Sequence, residues 1–74
     1  MRRVVATSVG GIVVSFDAKA TRARAALLDL DGRELKSHVV PAAELATALI
    51  SLRVPVDEAE RIARETLSQL YAQL

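Results

Sequence analysis

Two dipeptides, Gly10-Gly11 and Asp31-Gly32, each divide a pair of runs rich in β-branched and apolar residues, and nothing else in the chain restricts its fold as much. Paired glycines and Asp-Gly suit the positive φ angles of two-residue hairpin turns, which fold the flanking runs back on each other. The expected strands are about 4–9 and 12–17 around the first turn and about 23–30 and 33–40 around the second, with residues 18–22 as the connection. Four short strands in that order make an antiparallel β-meander.

Cross-strand partners share a face, so the turns also predict which side chains gather together. The first hairpin sets Val9 against Ile12, Thr7 against Val14 and Val5 against Phe16. In the second, Leu28 faces Leu35, with Leu30, Ala26 and Val39 on the same side, and this side is expected to be the core. The reverse side then carries Val4, Ala6, Ser8, Val13, Ser15, Ala25 and Leu27, with Asp17, Asp29, Glu34, Lys36 and His38 toward one margin. It is a half-apolar surface of small side chains.

Pro41 ends the strand pattern and suits the first position of a helix, where its missing N–H costs nothing. From about 42 to 52 the polar residues Glu44, Thr47 and Ser51 recur at helical spacing and leave a wide apolar arc. Pro55 lies in the break that follows. Asp57 with Glu60 reads as a capping box opening a second helix, about 58–73, whose apolar stripe includes Ala59, Ile62, Ala63, Thr66, Leu67 and Leu70. Arg61 and Glu65 stand four apart on its charged side, spaced to pair. The expected fold is α+β: a four-stranded antiparallel meander followed by two helices packed on one sheet face, forming a single domain over residues 1–74.

A chain of 74 residues builds one modest core and commonly needs a staple. There is no Cys for a disulfide or a thiolate zinc site, and one His cannot anchor a histidine cage, which leaves oligomerisation. The absence of Cys suits a reducing cytoplasm, the expected location. Arg2-Arg3, the uncharged run to Phe16 and Ala18-Lys19-Ala20 resemble a secretory signal in outline. The run alternates like a strand, however, and is rich in Val, Ser, Thr and Gly rather than Leu, so it is read as part of the sheet. It is also too short to span a bilayer as a helix, and no membrane association is expected.

The sequence offers little chemistry. His38 is expected beside Ala25 with Lys36 on the same face, without the nucleophile or acid a general base needs. Asp17, Asp29, Asp31 and Glu34 are better explained by turns and a wet sheet margin than as a metal or acid–base site. No catalytic residue, metal ligand or cofactor is assigned. The stretch from Phe16-Asp17-Ala18-Lys19-Ala20-Thr21-Arg22 to Asp31-Gly32-Arg33 resembles the first hairpin of the sugar-kinase and actin-like ATPase superfamily, but Ala and Lys stand where that hairpin has paired glycines for phosphate. Ala48-Leu49-Ile50-Ser51-Leu52 with Asp57-Glu58-Ala59-Glu60-Arg61 is similar to the helical C-terminal domain of the Holliday-junction RuvA family, with Arg53 and Val54 replacing that turn's glycine and aromatic. Neither resemblance carries a function across.

Two expectations about function remain. The first is a non-enzymatic interaction module that forms a homodimer and tethers or regulates a protein partner, binding through Val4, Ala6, Val13, Ser15, Ala25 and Leu27. A helix seam of Ala63, Leu67, Leu70 and Leu74 is its variant. The second is a nucleic-acid-binding accessory factor using Arg2, Arg3, Arg22 and Arg24, although net charge is only +1 and no aromatic residue is interleaved to stack on bases.

Overall fold

A computed structural model describes residues 1–73. Its elements run β1 (Arg2–Thr7), β2 (Gly10–Phe16), β3 (Arg22–Leu28), β4 (Glu34–Pro41), a 3₁₀ turn (Ala42–Glu44), α1 (Leu45–Ser51) and α2 (Val56–Ala72). The sheet order is β1-β2-β3-β4 and every pair is antiparallel. This is an α+β meander with both helices after the sheet.

Both turns differ from the glycine-based expectation. In the first, Ser8-Val9 form the loop and Thr7 pairs with Gly10; the Thr7 hydroxyl donates to the Gly10 carbonyl at 2.7 Å and accepts from the Val9 amide at 3.2 Å. Gly10 is still needed, because it opens β2 at φ 132°. Val5 therefore meets Ile12 rather than Phe16, a slip by an even number of residues that leaves the two faces of the hairpin unchanged. In the second turn the Gly32 amide donates to the Asp29 carbonyl and Gly32 takes φ 81°, making a three-residue loop of Leu30, Asp31 and Gly32. The extra residue puts Leu30 at the fully exposed tip and is absorbed by a bulge, so Leu28 opposes Glu34 instead of Leu35. Beyond the bulge the register is the expected one, with Ala25 opposite His38.

The pairing of β2 with β3 reverses the expected sides of the second hairpin. Ile12 opposes Leu27, Val14 opposes Ala25 and Phe16 opposes Ala23, so the odd-numbered residues of β3 join the core. Ala23 and Ala25 are fully buried with Leu45, Leu49, Leu52, Ala59 and Ile62 of the helical layer. The physical reason is volume: the helices bring the leucines, so the strand beneath must be small. Assigning the bulkier Leu28, Leu30, Leu35 and Val39 to the core inverted this.

Pro41 ends β4 and precedes the 3₁₀ turn. α1 closes with the Val54 amide donating to the Leu49 carbonyl and the Arg53 amide to the Ile50 carbonyl, the paired bonds of a Schellman motif, with Val54 and Leu49 both buried. That geometry puts Arg53 at φ 77°, where a side chain is strained. The expected capping box is absent: α2 starts at Val56 after Pro55 with no side-chain cap, and Asp57 and Glu58 occupy its first turn, where they oppose the helix dipole.

Arg53→Gly is expected to stabilise the fold by roughly 1 kcal/mol, the left-handed penalty less glycine's entropic cost. A urea titration with unchanged m-value should show the midpoint rise; a fall would mean that the Arg53 side chain holds the turn together.

Candidate interaction surface

The helices cover one side of the sheet. On the other, β1 to β4 align residues in rows: Val4, Val13, Ala26 and Ser37 form one, and Arg2, Ser15, Arg24 and Val39 the next. Ala6, Gly11 and Leu28 form a third, ending at Glu34 where the bulge adds Leu35. No element of residues 1–73 packs on these rows. Val4, Leu35 and Val39 are 63, 64 and 57% exposed.

Of the residues expected to bind a partner, Val4, Ala6, Val13 and Ser15 stand together on this side. Ala25 and Leu27 do not: they face the helices, Ala25 fully buried and Leu27 packed against the core. Their places are taken by Arg24, Ala26 and Val39. The alternative helix seam is also used up, since Ala63 and Leu70 are buried within the fold and Leu67 is partly so. Leu74 lies outside the described residues.

Ala26 has no exposed surface although no helix covers it. Arg24 lies two positions before it and Leu28 two after, and Glu34 is opposite Leu28. Both Arg24 Nη atoms donate to the two carboxylate oxygens of Glu34, so the pair lies along the strand across the Ala26 position. This hydrogen-bonded contact holds the Glu34 carboxyl below its ordinary range and pushes the Arg24 guanidinium up. At the arginine end, Ser15, Phe16, Arg22, Arg24 and Val39 line a shallow pocket of about 330 Å³.

Of the four arginines expected to gather for nucleic acid, three stand on one side of the sheet and Arg3 does not. Arg2, Arg22 and Arg24 share the uncovered side, and Arg24 is engaged by Glu34. Arg3 points the other way: its Nη1 donates to the buried Thr66 hydroxyl at 2.8 Å, and its Nη2 is 3.6 Å from Glu65, itself 3.7 Å from Arg61. With the Ser8 amide donating to Glu58 at 2.8 Å, this fastens α2 along β1. Periodicity marked Thr66 as a core position but gave no sign that its partner would be Arg3.

Asp17 closes the β2–β3 connection. Its carboxylate accepts from the Thr21 amide at 2.7 Å, the Thr21 hydroxyl at 2.6 Å and the Arg22 amide at 3.0 Å, while Ala20 takes φ 57°. Those bonds, the Arg22 amide first, hold its pKa below the ordinary value. The lone Asp–Thr resemblance to a phosphate hairpin is thus a self-satisfied turn. His38 sits on the helix side of β4 with Nε2 buried and without a hydrogen-bond partner. Among the described residues no three His, Asp or Glu side chains converge as metal ligands. No described helix is long and apolar enough to cross a membrane.

The chain matches no known protein-family model, no curated protein and no solved structure.

Arg3→Ala is expected to cost roughly 1–2 kcal/mol by stranding buried Thr66, while Arg2→Ala stays within about 0.5 kcal/mol; equal effects in chemical denaturation would contradict the clamp. For Asp17 the folded pKa is depressed, so its stabilisation is present above pH about 4 and is lost as pH falls through the folded value. Asp17→Ala should therefore melt below the parent at neutral pH, with the gap closing as pH falls below about 4; a constant gap as the pH is lowered would refute the assignment.

Proposed function

We propose that this protein is a non-enzymatic interaction module that binds a second copy of itself through exposed apolar side chains on the uncovered side of its sheet, and in doing so tethers or regulates a protein partner. The observation that carries this reading is the exposure of Val4, Leu35 and Val39 on a side that none of the described residues covers. An antiparallel sheet can leave one face in water, but large apolar side chains gathered on that face at its margins mark a contact surface. Size adds to the argument, because a single small core without cysteine has no disulfide to reinforce it, and binding to the folded state alone raises stability by mass action.

The surroundings of the polar side chains support a binding role over catalysis. Asp17, Asp29 and Glu34 are each committed to turn amides or to Arg24. His38 has no acid or nucleophile bonded to it. For the nucleic-acid alternative, Arg3 is turned to Thr66 and Arg24 is paired with Glu34, which leaves Arg2 and Arg22 on the uncovered side to meet phosphate.

Sedimentation equilibrium should show mass rising from monomer to dimer between low and high micromolar concentration. Val39→Glu should weaken that association about tenfold or more by placing a charge in the contact. A parent chain that remains monomeric at high micromolar concentration contradicts the proposal.

A further inference from the structure

The outer edge of β4 is the element of this surface with the most specific geometry. The Ala42 amide donates to the Thr21 carbonyl at 2.9 Å, which makes Thr21 and Ala42 a hydrogen-bonded pair. Antiparallel pairs alternate between bonded and non-bonded, so Ala23–Val40, Ala25–His38 and Leu27–Lys36 are also bonded pairs. The intervening Ser37, Val39 and Pro41 turn their backbone groups away from β3. On the other flank the Asp17 amide donates to the Arg22 carbonyl, which directs the backbone of Arg22, Arg24 and Ala26 toward β2 and confirms the alternation. Ser37 and Val39 thus present N–H and C=O groups at an open edge, with Pro41 closing one end of the run and the bulge at Leu35 the other.

Resting on the self-association reading, we infer that β4 pairs with β4 of a second copy, antiparallel about a two-fold axis at Ser37, to form one continuous eight-stranded sheet. This register opposes Ser37 to Ser37 and sets Val39 against Leu35 of the other copy. The two most exposed apolar side chains of β4 then cover each other, twice. It also leaves Pro41, which has no N–H to give, outside the paired core.

The helices fit the same arrangement. α1 rests on β3 and β4. With strands about 4.8 Å apart, its symmetry mate falls roughly 10 Å away, the spacing of directly packed helices. α1 leaves Ile50 39% exposed in a single copy. The opposite edge is less suited. β1 is shorter, and the Arg3–Thr66 and Ser8–Glu58 bonds hold α2 along it, where the helix of a second copy would compete for the same space. Because the β4 contact is two-fold and β1 is guarded, the assembly closes at two copies.

The test uses the unmodified chain and one variant. Sedimentation first establishes whether a dimer forms. Amide hydrogen exchange is then followed across that concentration range: the Ser37 and Val39 amides, exposed in the monomer, should become protected as the dimer forms. In a chain without cysteine, Ser37→Cys adds one thiol, and the bonded-pair Cα separation of about 5.5 Å falls within disulfide range. Mild oxidation should give a covalent dimer from Ser37→Cys and none from the remote control Ser8→Cys. A dimer whose Ser37 and Val39 amides exchange as fast as in the monomer overturns edge pairing while leaving self-association standing. A chain that stays monomeric overturns both.

Discussion

Ala23 and Ala25 give α1 a shallow floor, and the helical leucines Leu45, Leu49 and Leu52 occupy the space those small side chains leave. Close seating of helix on sheet fixes the rest of the molecule. It decides which side of β3 faces inward, and through the strand pairing it decides the side of every residue in the sheet. A larger side chain at either alanine would lift α1 and open voids around Leu49, and in a core this small such a defect removes much of the net stability.

One consequence is an asymmetry of covering. Two helices of 7 and 17 residues cover one face of four strands, and among the described residues there is no further element for the other. The second face is managed locally instead. The Arg24–Glu34 pair lies over Ala26, and small residues such as Gly11, Ser15 and Ser37 keep the rows low. Apolar exposure is concentrated at the two edge strands, on Val4 at one side and on Leu35 and Val39 at the other. The edges differ because α2 is bonded along β1 and nothing comparable stands beside β4.

Much of the architecture could be read from residue pattern. Period-two alternation in the first hairpin survived a misplaced turn because the slip was even, so Val4, Ala6, Val13 and Ser15 were assigned to the correct side. Pro41 and Pro55 marked the breaks around α1. The sides of β3 carry conflicting signals, because Arg22 and Arg24 alternate with Ala23 and Ala25 whereas the bulk of Leu28, Leu35 and Val39 argues for the opposite face, and the register with β4 is compatible with either orientation. Only β2 decides, through the length of a connection whose shape depends on Asp17 capping Thr21 and Arg22. The Arg3–Thr66 bond was equally hidden, joining residues 63 positions apart with no periodic signal. Leu30 and Leu35 are bulky without being buried, because a turn tip and a bulge put both in solvent.

Solvent accessibility of individual methyl groups tests this asymmetry most directly, using a soluble paramagnetic agent and methyl NMR at low concentration. The account predicts strong broadening at Val4, Leu35 and Val39 with Ala25, Val14 and Ile12 spared, and recovery of Leu35 and Val39 as concentration rises. Broadening of Ala25 with protection of Val39 in the dilute chain would show that the sheet faces its helices the other way round, and the account would fail.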